Sequence, residues 1–418
     1  MKLTAKPLLV PLLYLLILSS FFYYLEAIQS LLMILMSLLL LSIVKFRNFK
    51  CTYKNAPFIG SFAIATFYYL FYFNSPSLKL IGESFLLFLA PLFSCYLYET
   101  NGFIKNKQRI QFAYCVSISL LCLYFLGFYA IDIPNHHFDW YLARYNLEMH
   151  SKIHGTYMCL WIGIALLFLV DYSLGYKKYS TLLKFALICM FASLLSGLII
   201  YNSRNIILGL VLVSFLLILI VKKQKNVIPF SIKIAIGCSI ILVILFSQRY
   251  IDAFRFFSTD SYTNSTRYAS WSCSWKLICE SHFLGMDYSL IQEKLNQCYE
   301  PIDNFELKKF KINSHNQYLD FLLKGGLGLF ITFFSSLFIK IKETLQQQHY
   351  LYFSITVLFV ISFITENILV RQYGIYIYFV CDLLFLGSIF RHKNHNISQL
   401  EKHYIWHIQP TTIAITNN

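Results

Sequence analysis

The chain has 418 residues, of which 57% are hydrophobic and only 13% are charged. So little charge excludes an ordinary water-soluble globular protein, in which about 25% of the residues are charged. The formal net charge of +15 could point to nucleic acid, but the basic residues lie in short clusters between apolar runs, as topology signals of membrane proteins do. The composition therefore predicts membrane lipids, and no nucleic acid, around this chain.

A membrane-spanning helix needs about 20 mostly apolar residues, because the hydrocarbon core of a bilayer is about 30 Å thick. Runs of this kind predict an all-α, polytopic membrane bundle of about 12 transmembrane helices. The first run resembles a signal peptide but lacks a small-x-small cleavage site, so we expect an uncleaved helix. The predicted spans are 7–25, 27–44, 56–73, 78–98, 110–130, 155–174, 181–201, 204–221, 228–247, 317–339, 350–369 and 373–390.

Lysines and arginines collect in alternate short loops, and this bias predicts that those loops face the cytoplasm. The basic residues assigned to that side include Lys340 and Lys342, after the tenth span. The same alternation places both chain termini in the cytoplasm.

The predicted topology divides the chain into four parts. Residues 1–247 hold the first nine spans, and residues 248–316 form a large loop or cap on the opposite, extracytoplasmic side. Residues 317–390 hold the last three spans, and residues 391–418 form a cytoplasmic tail. A cap over a helix bundle suggests a substrate cavity between them.

The large loop carries its own structural signals. Trp271 to Ile278 has the apolar spacing of a helix, and the loop contains Cys273, Cys279 and Cys298. If the loop faces an oxidising compartment, two of the three can form a disulfide, and the sequence does not choose the pair. The chain has no CxxC pair, and His150 and His154 lack a third ligand, so we predict no metal and no cofactor.

Arg204 and Arg267 lie on the predicted outer side, where the charge bias leaves few basic residues. A basic residue in such a position often has an anionic partner. Arg204 lies in a short turn between two apolar helices, and Arg267 opens the predicted cap helix. A helix-end anchor to lipid headgroups is the alternative for Arg204, and a solvated loop charge is the alternative for Arg267.

His315 stands where the large loop re-enters the membrane, within the sequence SHNQY of residues 314–318. With Ser314 as the N-cap, His315 would lie in the first helical turn, where the positive end of the helix dipole favours a neutral imidazole. A neutral imidazole can act as a general base near neutral pH. A purely structural histidine is the alternative.

Further ionisable residues lie in or beside the predicted spans. Glu83 and Lys324 fall inside spans, and Glu366 and Arg371 lie at the outer ends of the last two. The sequence leaves open whether Glu366 and Arg371 form a structural ion pair or part of a site.

The most specific signals are four short stretches: Asn202-Ser203-Arg204, Arg267 with Trp271, Trp275 and Phe283-Leu284-Gly285, His315-Asn316-Gln317-Tyr318-Leu319 with Gly326-Leu327-Gly328, and Thr365-Glu366-Asn367 with Arg371-Gln372-Tyr373-Gly374. In this order and on this predicted side of the membrane, they resemble the O-antigen ligase and polymerase superfamily of bacterial inner-membrane glycosyltransferases. The large outer loop is most similar to the ligase branch. His154-Gly155-Thr156-Tyr157 also looks like a His-Pro-Thr-Tyr form of some members, with Gly155 in place of proline.

The resemblance implies an inverting, metal-independent transfer of a glycan from an undecaprenyl diphosphate-linked donor at the periplasmic face of the bacterial inner membrane. For a ligase the acceptor is lipid A core. The resemblance also implies that His315 is the general base, that Arg204 and Arg267 contact the diphosphate, and that Arg371 is a further contact. These residue types suit the reaction, since a diphosphate leaving group needs fixed positive charge.

Two alternatives within the superfamily differ from a ligase only in their acceptor. A polymerase extends another carrier-linked repeat unit, and an O-linking oligosaccharyltransferase modifies a protein hydroxyl. From another class, a lipid-linked oligosaccharide flippase or secondary transporter also has about twelve helices, but such proteins are usually built from internal repeats, which this sequence does not show.

Overall fold

The computed structural model describes residues 6–21, 26–43, 56–71, scattered positions from 84 to 97, 101–132, 134, 140–173, 179–223, 266–302, 304–309 and 311–390. Within these ranges every regular element is helical. The helices are α1 (Lys6–Leu18), α2 (Glu26–Ile43), α3 (Ala56–Phe71), α4 (Asn101–Asp132), α5 (Trp140–Ser151), α6 (Gly155–Ser173), α7 (Thr181–Tyr201), α8 (Arg204–Lys223), α9 (Thr266–Glu280), α10 (Tyr288–Tyr299), α11 (Phe305–Lys309), α12 (Gln317–Gln346), α13 (Tyr350–Thr365) and α14 (Gln372–Phe390), with a 3-10 helix at Ile368–Val370.

The described part of the chain confirms the all-α prediction. Five helices, in α4, α6, α7, α12 and α14, are long and apolar enough to cross a membrane. Four shorter apolar helices lie in α1, α2, α8 and α13. The predicted span 228–247 lies outside the described residues and span 78–98 is described only at scattered positions, so the count of twelve stays a prediction.

The centre of the bundle is formed by α6 and α14. Trp161 on α6 is fully buried, and its indole Nε1 donates a hydrogen bond of 3.0 Å to the carbonyl of Tyr373 on α14. By contrast, α7 exposes Leu182, Phe185 and Ile188 on one side, with 80%, 64% and 59% of their surfaces accessible. Such an apolar face would favour aggregation in water, whereas lipid is a suitable solvent for it.

Helices α9 to α11 form a small cap with its own core. Leu277, Ile278 and Leu295 are buried there, and the same core includes Leu322 and Leu323 of α12. The cap is therefore packed directly onto the start of α12.

One disulfide joins the two larger cap helices, Cys273 on α9 and Cys298 on α10, while Cys279 is free and exposed. The structure thus chooses the pair that the sequence left open. A crosslink across 25 residues of sequence stabilises a fold by about 3 kcal/mol through the entropy of the unfolded chain.

Helix α12 is interrupted at Gly326, whose φ of 60° and ψ of −160° are not helical. The cap loop before α10 lies against this break. The N–H of Leu327 donates to the carbonyl of Phe283, and the N–H of Met286 donates to the carbonyl of Leu323, both at 2.8 Å. Since a lipid bilayer offers no partner to exposed backbone groups, these two bonds make the interruption tolerable.

A buried ion pair connects the three last helices near their other end. The Lys340 Nζ on α12 lies 2.7 Å from Asp382 Oδ1 on α14, and Tyr352 on α13 donates a hydrogen bond of 2.7 Å to the same oxygen. Lys340 has only 1% of its surface exposed. The prediction that Lys340 is a loop residue is therefore wrong, since Lys340 belongs to α12 and is buried. A charge buried among helices needs a partner, which Asp382 provides.

We expect Gly326→Ala to detach the cap loop from α12. A Cβ at residue 326 would collide with the carbonyl of Phe283 and with Leu284, and the positive φ would add strain of about 1–3 kcal/mol. Thermal unfolding and limited proteolysis of the cap in detergent would measure the change. Gly328→Ala is the matched control, because a Cβ at residue 328 meets no atom within 4 Å. Equal behaviour of the two variants would show that attachment of the cap loop does not depend on glycine at residue 326.

Candidate active site

The start of α12 is capped by Asn316, not by Ser314 as predicted. The Asn316 Oδ1 accepts hydrogen bonds from the backbone N–H groups of Tyr318 and Leu319, at 2.9 and 3.1 Å. His315 therefore precedes the helix instead of lying in its first turn, and the predicted effect of the helix dipole loses its basis. The backbone of His315 has a φ of 44° and is held by its N–H, which donates to Asn313 Oδ1 at 3.0 Å.

The ring of His315 faces a buried carboxylate instead. Its Nδ1 lies 3.4 Å from both carboxylate oxygens of Glu366, the residue that ends α13. The Glu366 side chain is 9% exposed and the His315 side chain 26% exposed. A carboxylate only accepts hydrogen bonds, so Nδ1 is the donor in this contact; in the neutral ring the lone pair is then on Nε2.

The neighbouring charges favour the ionised form of Glu366. Burial alone would raise the pKa of Glu366, but the hydrogen bond from His315 and the charges of His315, His154 and Arg267 outweigh it and lower that pKa. The sequence left open whether Glu366 and Arg371 form a structural ion pair or part of a site. In the structure the Glu366 carboxylate contacts His315 and not Arg371.

Arg267 reaches this region from the cap. It lies in the first turn of α9, four residues before Trp271, so both residues occupy the same side of the helix. The Trp271 indole Nε1 donates to the backbone carbonyl of His315 at 3.4 Å. Trp271 thus connects the cap helix that carries Arg267 to the segment that carries His315.

Arg204 is the first residue of α8, directly after a tight turn. Asn202 adopts the left-handed conformation with φ 43° and caps α7. The next residue on α8, Asn205, donates a hydrogen bond of 2.5 Å to Thr365, the neighbour of Glu366. The turn therefore places Arg204 at the same end of the bundle as His315, with an exposed side chain.

A second arginine supports this turn, and sequence reasoning missed it. Arg144 on α5 donates to the carbonyl of Asn202 at 3.4 Å and pairs with Glu148 at 3.0 Å. Glu148 in turn accepts from the N–H of Gly155 at 3.2 Å, and a Cβ on Gly155 would lie 2.6 Å from that carboxylate oxygen. This packing gives a physical reason for glycine at residue 155, because proline has no N–H to donate.

Arg371 lies between the 3-10 helix and α14, with an exposed side chain. Its carbonyl accepts from the N–H groups of Gly374 and Ile375, both at 3.0 Å. The structure thus places Arg371 in the junction that also holds Glu366, and it shows no ion pair between those two residues.

Lys324, predicted inside a span, forms a buried ion pair with Asp320, which sequence reasoning did not single out. The Lys324 Nζ lies 2.5 Å from Asp320 Oδ2, and each residue is 5% exposed. Together with Tyr69 on α3 they line a narrow cleft beside α12. The spacing of four residues between opposite charges on one helix was the available signal.

His150 and His154, four residues apart, contact different aromatic rings, and His154 lies against Tyr157. His150 stacks on Phe128, with the ring centroids 4.0 Å apart, and its Nε2 hydrogen-bonds Tyr124 at 3.0 Å. The described ranges hold no group of three histidine, cysteine, aspartate or glutamate side chains arranged to bind a metal ion.

The comparisons with known proteins fit this arrangement. Residues 185–334 match the family model described as O-antigen ligase. This match supports the assignment of that region to the O-antigen ligase and polymerase superfamily. The matched region includes Arg204, Arg267 and His315 together with the break at Gly326. No curated protein and no solved structure matches the chain.

Members of the O-antigen ligase family are glycosyltransferase-like enzymes. The five long apolar helices of the described residues are those of a polytopic membrane protein, as the family match also indicates. The family also implies lipid-linked glycans and lipids as partners.

We expect the stability of the folded protein to depend on pH through the ionisation of Glu366. Because folding lowers the pKa of Glu366 below its ordinary value of 4.5, its stabilising contribution is complete above that value and is lost as the pH falls through the lower, folded-state pKa. Glu366→Gln should therefore lose less stability than the wild type when the pH is lowered. Thermal unfolding in detergent across this pH range measures the difference.

The matched control for this prediction is Glu293→Gln, since Glu293 lies exposed on α10. Its pH dependence should follow the wild type. A Glu366→Gln curve parallel to the wild type would show that the pKa of Glu366 is not lowered by folding.

Proposed function

We propose that the protein is an O-antigen ligase that transfers a glycan from undecaprenyl diphosphate to a hydroxyl of lipid A core at the periplasmic face of the membrane. The observation that carries the proposal is the His315–Glu366 pair, which leaves the Nε2 of a half-buried imidazole available as a base. The family match supports the reaction class, and the ligase branch is favoured by the single large cap.

The proposed reaction is one direct displacement. The acceptor hydroxyl gives its proton to His315 Nε2 while its oxygen attacks the anomeric carbon of the donor sugar. The bond from that carbon to the diphosphate oxygen breaks, and undecaprenyl diphosphate leaves with the electron pair. The configuration at the anomeric carbon is inverted, and Glu366 stabilises the imidazolium that forms.

In this proposal Arg204, Arg267 and Arg371 supply the positive charge that the diphosphate needs. All three side chains are exposed, and the segments that carry them meet at the His315 end of the bundle. Guanidinium groups bind phosphate oxygens with two parallel hydrogen bonds, so they can stabilise a leaving diphosphate without a metal ion or other cofactor.

We further propose that the protein lies in the bacterial inner membrane, with both termini in the cytoplasm and the cap in the periplasm. The distribution of basic residues supports this orientation. The Cys273–Cys298 disulfide supports it independently, because disulfides persist in oxidising compartments such as the periplasm.

A polymerase or an O-linking oligosaccharyltransferase would use the same base and arginines with another acceptor, so the acceptor decides between them. A flippase or transporter would need no base at this position.

The decisive assay uses purified protein in lipid vesicles, an undecaprenyl diphosphate-linked oligosaccharide and lipid A core, with EDTA present. We expect the wild type to form glycosylated lipid A core. His315→Ala should reduce kcat by at least about 100-fold, since a positioned general base contributes 10²–10⁴-fold. His282→Ala is the matched control, because His282 is an exposed cap histidine outside the proposed site.

Each contrary outcome has a definite meaning. Products that are longer carrier-linked chains would identify a polymerase, and modified protein acceptors an O-linking enzyme. Full activity of His315→Ala would refute the assignment of the base.

The proposed orientation predicts that a membrane-impermeant maleimide labels Cys279 in intact cells. Cys279 is exposed on the cap. Of the other free cysteines that the structure describes, Cys115, Cys122, Cys159 and Cys381 are buried, and Cys189 is exposed on the apolar helix α7, where a membrane-impermeant reagent does not reach a lipid-facing thiol. The signal should disappear in Cys279→Ser, which serves as the control. If Cys279 reacts only after the inner membrane is permeabilised, the cap faces the cytoplasm and the orientation is wrong.

A further inference from the structure

Asn367 follows Glu366 directly, and only 1% of its surface is exposed. Its Nδ2 donates a hydrogen bond of 3.0 Å to the Ser314 hydroxyl, and its Oδ1 accepts from that hydroxyl at 3.2 Å. Ser314 directly precedes His315. The neighbours of His315 and Glu366 are thus bonded to each other, although 53 residues of sequence separate them.

The orientation of the Asn367 amide is set by a third residue. A hydroxyl both donates and accepts, so Ser314 is compatible with either end of the amide. The Asp320 Oδ1 lies 3.4 Å from Asn367 Nδ2. Because a carboxylate only accepts hydrogen bonds, Asp320 requires the NH₂ group of Asn367 on its side.

Asp320 is itself held firmly. Its Oδ2 accepts from Lys324 Nζ at 2.5 Å and from Gln317 Nε2 at 3.4 Å. Gln317 also accepts from the N–H of Leu369, at 2.7 Å, so the same group of side chains fixes the segment after Asn367. A buried ion pair gives little net stability, because desolvation of both charges opposes their attraction, and ionisable residues within membrane proteins generally serve a function.

We propose that Asn367 is a positioning residue, which holds Glu366 against His315, and that the Asp320–Lys324 ion pair fixes the orientation of its amide. The side chain of Asn367 bonds to Ser314 and Asp320, so both Asn367 and Asp320 act through the loop that carries Glu366. The inference rests on the proposed transfer function, in which Glu366 orients and stabilises the imidazole of the base.

Asn367→Asp tests the proposal, because it replaces the NH₂ group that donates to Asp320 by a carboxylate oxygen, which Asp320 repels. We expect kcat to fall by about 100-fold, as for small displacements of catalytic groups, with KM changed less than about threefold. In the Glu366→Gln variant, adding Asn367→Asp should lower kcat by less than about a further threefold, since both changes disturb the same contact between Glu366 and His315.

Asn296→Asp in the cap is the matched control, because the Asn296 side chain accepts from Gln292 through Oδ1, which an aspartate can also do. It should retain wild-type kcat.

A second measurement does not depend on transfer. In protein labelled with ¹⁵N-histidine, with His315 assigned through His315→Gln, nitrogen shifts of the neutral ring report which nitrogen carries the proton. We expect Nδ1–H in the wild type, and a mixture of both tautomers in Asn367→Asp and Glu366→Gln.

The two proposals can fail separately. A wild type that transfers no glycan but shows the expected tautomers refutes the function and supports the positioning role. An active wild type whose Asn367→Asp variant keeps both its kcat and the Nδ1–H tautomer overturns the positioning role. Losses that multiply in the double variant with Glu366→Gln would likewise overturn it, because Asn367 would then act independently of Glu366.

Discussion

A helix inside a lipid bilayer must satisfy every backbone N–H and C=O group, and the rest of this structure depends on how α12 meets that demand at Gly326. The helix is interrupted there, and the cap loop supplies the missing partners through Phe283 and Met286. The cap is therefore bonded into the membrane helix itself. Because α9 belongs to the same cap, the two hydrogen bonds also fix Trp271 beside His315.

The candidate site is assembled from three distant parts of the chain: the cap, the start of α12 and the junction between α13 and α14. His315 lies outside the helix that follows it, and its left-handed backbone is held by Asn313 and Trp271. No single segment contains both the imidazole and its carboxylate. A stable cap is for that reason a condition for the site, and the Cys273–Cys298 disulfide contributes to that stability.

Each of three buried carboxylates in the described part of the chain has a cationic or titratable partner. Glu366 faces His315, Asp320 pairs with Lys324, and Asp382 pairs with Lys340. A low-dielectric interior makes an unpaired charge very costly. The pairs differ in access, because His315 keeps 26% of its side chain exposed whereas both lysines are at most 5% exposed. Of these three, the His315–Glu366 pair can therefore meet a substrate without rearrangement.

The pairing around Arg144 connects Gly155 to the turn before Arg204. Glycine at residue 155 lets its N–H reach Glu148, and the Arg144–Glu148 pair in turn supports the turn before Arg204. Gly155 and Arg144 thus belong to one arrangement at the start of α6 and the end of α7.

The sequence by itself predicted where several apolar helices begin, because hydropathy is a local property. The predicted starts at residues 155, 181 and 204 coincide with those of α6, α7 and α8. The sequence also pointed to the superfamily that the family match supports, since the order of short motifs around Arg204, Arg267 and His315 can be read without a fold.

Only the tertiary structure decided which partners these residues have. Asn316 and Ser314 are both competent N-caps in sequence, and the contact of Ser314 with Asn367, 53 residues away, assigns the cap to Asn316. The partner of Lys340 is 42 residues away, and that of His315 is 51 residues away. Hydrogen bonds and ion pairs over such separations depend on how the helices pack, and local propensity contains no information about that packing.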